Sequence, residues 1–319
     1  MSVASDSSRW QQVAWKRVAQ YYAVAFGGAV VVGLGIWGLA MTLPPSLAVL
    51  TQAATAVFYM PLPIVAGLIV ERLDRRRPLI ADEWSALRHR FFRTYGRNAG
   101  WSLAVMVVIL LAGFAVAWAA GAAGLPGAGH LAANTDELRQ RLMEISPALS
   151  PSVAIPEPAV LASITLIQGL IAGITINALF AFGEEYGWRG VLADKLRPLG
   201  VLRSNLVIGV LWGLWHAPII ILMGHNYGSQ WALGVPMMVA WTVPLSFLLS
   251  WVKQRTGSVL APAMLHGAYN GTIGIFALLI IGGNLFVALP MGWLVAAVLT
   301  ILAIIAWRFP PKQDQPISD

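Results

Sequence analysis

Cysteine is absent from the 319 residues. That excludes a disulfide framework, a thiolate metal site and a cysteine nucleophile together. Charge is scarce as well: 11% of residues are Asp, Glu, Lys or Arg, against 58% hydrophobic, and the mean hydropathy is +0.70. Soluble domains carry about 25% charged residues, so this composition belongs to a membrane protein. Also missing is the alternation of apolar and polar positions over about ten residues that an outer-membrane strand needs. The apolar runs are continuous instead, and about 20 residues long, which is the length of a transmembrane helix. No small-residue cleavage site follows a short N-terminal core, so a signal peptide is not expected. Nor does any internal repeat or soluble domain stand out. The excess of 21 Lys and Arg over 14 Asp and Glu fits basic loops on one side of a membrane better than a nucleic-acid surface.

The pattern predicts an all-α, polytopic bundle of about eight spans, near 23–43, 47–70, 100–123, 159–182, 205–223, 231–252, 258–281 and 285–307. Pro44-Pro45 closes the first. Residues 1–22 form a basic N-terminal segment with Trp10, Trp15, Tyr21 and Tyr22 at interface level. Residues 23–308 form one transmembrane domain, and 309–319 a polar tail expected to be disordered. The segment 71–97 carries eight arginines, Arg72 to Arg97, and an amphipathic surface helix from Asp82 to Phe92. A Gly- and Pro-rich loop, 124–158, contains one helical piece at 135–145, with Leu138, Leu142 and Ile145 on one side. With eight spans, every Lys and Arg except Arg139 and Arg141 falls on one side. The positive-inside rule then puts both termini in the cytoplasm.

Against this apolar background a few groups stand out. Glu184 and Glu185 end a stretch, 159–182, without a single charge. An embedded acid costs ~2.5–3.5 kcal/mol or more at the bilayer centre, and is a functional-site candidate by default. Glu185 and Arg189, four apart, can pair on one helix face, leaving Glu184 turned about 100° away. His216 lies about 16 Å, and His266 about 13 Å, from the inner ends of their spans at 1.5 Å per residue. Trp212 shares a face with His216, and Asn270 with His266. His225 and Asn226 fall in a turn and receive no role. A carboxylate, two imidazoles and an amide can activate water and stabilise an oxyanion. The same set could hold a divalent metal, zinc included, with water in the open position.

Glu-Glu-x-x-x-Arg, aromatic-x-x-x-His and His-x-x-x-Asn on successive helices resemble the type II CAAX prenyl endopeptidase and bacteriocin-processing family (the CPBP or Abi family). The likeness covers about 159–281. It departs at Trp212, where that family usually has Phe. The resemblance implies an intramembrane endopeptidase in which Glu184 activates water, His216 assists, and His266 with Asn270 forms the oxyanion hole. Glu185 and Arg189 would position Glu184. Both metal-free glutamate and metalloprotease mechanisms have been described for such proteins. No His-Glu-x-x-His zinc signature is present, and the metal-free route is preferred.

The expected partners are membrane lipids and a membrane-associated or lipidated polypeptide, approached from the cytoplasmic side of a plasma (inner) membrane. Two other readings use the same residues. One is a non-catalytic immunity or scaffold protein of the same fold. The other is a proton-coupled transporter, although that fold would show paired repeats.

Overall fold

A computed structural model describes residues 6–44, 47, 49–146, 149–150 and 152–310. Pro45 and the tail beyond Pro310 therefore lie outside the described residues. Backbone polar groups in hydrocarbon must find partners within their own segment, which leaves helix as the form for long apolar runs. The chain is accordingly helical nearly throughout. Among the described residues the one pair of strands is two residues long, His130–Leu131 against Ile280–Ile281.

Among the described residues, five helical segments are long and apolar enough to cross a membrane: Trp15–Thr42, Val49–Leu73, Phe91–Ala122, Ile176–Met223 and Trp231–Thr256. Pro158–Ile174 and Trp293–Arg308 are shorter apolar helices. The protein is an integral, multi-pass membrane protein. The loop helix is present at Thr135–Ile145, capped by Asn134, whose Oδ1 accepts from the Asp136 and Glu137 amides at 3.1 and 3.0 Å. It buries Leu138 and leaves Ile145 exposed.

The span expected at 159–182 needs correction. It is one helix, Pro158–Ile174, then a break at Thr175, then Ile176–Glu185. Helix continues past Glu185 through a wide π-helical turn, Tyr186–Leu192, and on to Leu199. The two glutamates therefore sit in the middle of a helical run and not at its inner end. The run 205–223 likewise divides at His216, because Pro218 has no amide hydrogen to give the preceding turn. The last span begins at Trp293, later than 285.

Small residues set the closest packing. A Cβ on Gly169 would strike the backbone of Gly271, and one on Gly173 the backbone of Ala268. This lets the Leu260–Thr272 helix lie directly on Pro158–Ile174. Gly209 and Gly213 do the same against Val243 and Val239 of Trp231–Thr256.

The arginine-bearing segments converge on one end of the bundle. Asp74 takes Arg17 at 2.6 Å and Lys195 at 2.5 Å, Arg76 pairs with Asp194 at 2.8 Å, and Arg97 reaches the Arg255 carbonyl at 2.6 Å. The segment 82–92 was expected to lie on the surface, yet Glu83 of the Leu79–His89 helix is buried. It accepts from the Ser258 hydroxyl at 2.6 Å and the Val259 amide at 2.7 Å, holding the start of the Leu260–Thr272 helix.

Candidate active site

The helices that carry the three motifs meet, with neighbouring helices, around one cavity of about 300 Å³. Glu184 comes from Ile176–Glu185, Trp212 from Gly200–Trp215, and His266 with Asn270 from Leu260–Thr272; His216 sits at the break after Trp215. Glu184 and Glu185 are buried, at 2% and 0% exposure, so they are not an acid pair wetted at a helix end. Glu185 Oε1 takes Arg189 at 3.0 Å, with both side chains fully buried, and His266 Nδ1 at 2.9 Å. The expected i,i+4 pair is there, and it also anchors the second imidazole.

Trp212 is the junction of the site. Its Nε1–H donates to Glu184 Oε2 at 2.8 Å. The Arg189 guanidinium lies 4.3 Å from its ring centroid, close enough for a cation–π contact. The imidazoles of His266 and His216 are 5.3 and 5.9 Å away, centroid to centroid. His216 Nδ1 is 2.9 Å from the Trp212 carbonyl oxygen. A carbonyl only accepts, so Nδ1 carries the proton and Nε2 is the free acceptor when the ring is neutral.

Two residues left without a role in the sequence line the same cavity. Left-handed Gly224 (φ 67°) turns the chain after Met223 and carries His225 and Asn226 back over it. The His225 ring stacks near His216, at 6.5 Å and 12° between planes. A histidine directly after an apolar helix and a glycine was the available signal. Tyr59 also lines the cavity, at the end of a second π-helical turn, Thr55–Tyr59, and donates to the Trp215 carbonyl at 2.6 Å. Nothing in the sequence pattern separated it from the rest of its span.

The cavity is closed toward the arginine-rich end. Below Glu184 and His266, Arg189, Trp188, Leu192, Leu196, Ala261 and Val259 are all fully buried. The exposed lining, Asn270 and Gly274, and the half-buried His225, Asn226 and Thr55 lie in the other direction. This packed layer lies between the cavity and the arginine-rich end, the side from which approach was expected.

Among the described residues, no three His, Asp or Glu side chains group as metal ligands. The donor set does not fit a three-ligand zinc site of the usual form.

Residues 162–272, which hold all of these motif residues, match the family model described as type II CAAX prenyl endopeptidase Rce1-like. This segment is similar to that family. The match covers roughly a third of the chain and supports the fold of a CAAX-type intramembrane protease. Thr55, Tyr59 and Met291 of the cavity wall come from outside the Rce1-like segment. No curated protein matches the chain.

Proposed function

We propose that the protein is a membrane-embedded endopeptidase that hydrolyses peptide bonds in membrane-anchored or lipidated polypeptides of the plasma (inner) membrane. The observation that carries this reading is the junction at Trp212, which joins the embedded Glu184 to both imidazoles at the edge of one cavity. Glu184 Oε2 is held by the indole, and Oε1, with no hydrogen bond among the described residues, is the base. It takes a proton from water as the oxygen attacks the scissile carbonyl carbon, aided by His216 Nε2. The same proton then passes to the leaving amine as the C–N bond breaks, giving a carboxylic acid and an amine.

His266 donates Nδ1–H to Glu185. With both ring protons on His266, the buried set of two carboxylates, one guanidinium and one imidazolium is neutral. A low-dielectric site needs its charges paired in this way. Nε2–H of His266 and the Asn270 amide are then the donors for the oxyanion. Glu185 and Arg189 touch no reacting atom; they are positioning residues. No step requires a metal, and excess chelator is expected to leave turnover unchanged.

Around this core we infer eight crossings with both termini on the arginine-rich side. The five long apolar segments are joined by Pro158–Ile174 leading into the glutamate run, by Leu260–Leu279 and by Trp293–Arg308. The decisive experiment is cleavage of a membrane-anchored peptide by purified protein in proteoliposomes. Glu184→Gln should lower kcat by about 10²–10⁴-fold, the worth of a positioned base, with wild-type yield and thermal stability. Turnover that survives this change would remove Glu184 from the chemistry.

A further inference from the structure

The side on which the cavity opens can be read from contacts at the two ends of the bundle. One end holds the Arg17–Asp74–Lys195 group, the Arg76–Asp194 pair and the Arg97 and Arg255 contacts to the Arg255 and Phe309 carbonyls. The other end holds Arg139 and Arg141, which bond the Val153 and Ala277 carbonyls at 3.0 Å each. Ala277 lies three residues beyond Gly274, an exposed residue of the cavity wall. The rim is therefore tied to the arginine-poor end, and the buried layer from Arg189 to Val259 shuts the arginine-rich end.

The charge asymmetry fixes which end faces the cytoplasm, because Lys and Arg are retained there during insertion. We propose that the cavity opens to the non-cytoplasmic face and takes its substrate from that side. For the nature of the substrate this rests on the peptidase reading above; for the side of access it does not. The substrate class is a polypeptide whose cleaved segment emerges from its membrane anchor on the outer face. That segment is uncharged where it sits, because the wall is aromatic and Met-rich. Tyr59, Trp215, Trp241, Tyr269 and Met238 line it with Glu184, the one carboxylate there, and among the described residues no Lys or Arg lines it.

The absence of cysteine makes the test direct, because each introduced thiol is the only one present. Single variants Ala86→Cys at the arginine-rich end, Ser229→Cys in the turn after His225, and Asn270→Cys and Thr55→Cys in the cavity are treated with a membrane-impermeant maleimide. Right-side-out and inverted vesicles are compared. The expected result is labelling of Ser229→Cys and at least one cavity thiol in right-side-out vesicles, with Ala86→Cys labelled only in inverted ones. Cavity thiols that label together with Ala86→Cys, or that label in neither preparation yet react after denaturation, would overturn the proposal. Labelling needs no turnover. An inactive protein with the expected pattern would therefore count against the peptidase reading and leave the side of access standing.

Discussion

At Trp212 one indole serves Glu184, Arg189, His216 and His266 at once, so single changes here separate chemistry from packing. Trp212→Phe keeps a ring over the guanidinium but deletes the donor to Glu184. A hydrogen bond to a charged group is worth about 1.5–3 kcal/mol, so kcat should fall by about 10–100-fold in a protein that still purifies folded. Trp212→Ala also leaves a hole and should cost about 3–5 kcal/mol of stability. Equal thermal stability of the two variants would contradict the packing role. Asn270→Ala should lower kcat by about 10²–10³-fold with KM nearly unchanged, as loss of one oxyanion donor does; a change confined to KM would reassign the amide to substrate binding. Arg189→Met strips a buried pair of its cation and should cost about 3–5 kcal/mol, read as loss of thermal stability in detergent.

At the scale of helices, irregular backbone collects around the cavity. The π-helical turns at Thr55–Tyr59 and Tyr186–Leu192, the break at His216 and the end of Leu260–Thr272 all fall beside it. Non-helical backbone at membrane depth is tolerated where it is buried in protein or lines a cavity, and the packed helices around this cavity provide such a setting. Glycine contacts hold these elements in place. Gly173→Ala should push Leu260–Thr272 off its neighbour at an overpacking cost of about 1–3 kcal/mol and move His266 with it. Gly35→Ala has nothing within 4 Å of the added methyl and should be silent. Matching melting temperatures for the two proteins would refute this account of the packing. The existence of most helices was legible from apolar run length, because lipid allows the chain little else. Their interruptions were not. Thr175 has no proline or charge to announce its break, and the charges at Glu184, Glu185 and Arg189 read as the end of a span although the helix runs on through them.

At the scale of the molecule, the two ends of the bundle differ in charge and in cohesion. Asp74 joins the first span to the Lys195 region, and the Lys195 ammonium, then Arg17, hold its carboxyl below the usual range. The native state thus binds this proton more weakly than the unfolded chain does. Its contribution is complete above the ordinary carboxylate range, near pH 4, and is lost as pH falls through the lowered value. Thermal stability in detergent should therefore drop more steeply from pH 5 to 3 in the wild type than in Asp74→Asn; parallel curves would dismiss the linkage. Composition and run length by themselves determined a helical membrane protein, and residue spacing picked out Glu184, Glu185, Arg189, His216, His266 and Asn270. These are local properties, fixed by the solvent the chain must live in and by 3.6 residues per turn. Tertiary structure alone decided that one indole joins them, that His225 and Tyr59 complete the wall, and that the cavity closes toward the arginines. Each of those depends on which distant helices touch, and that is settled by glycine contacts and buried partners that no periodicity within a single segment encodes.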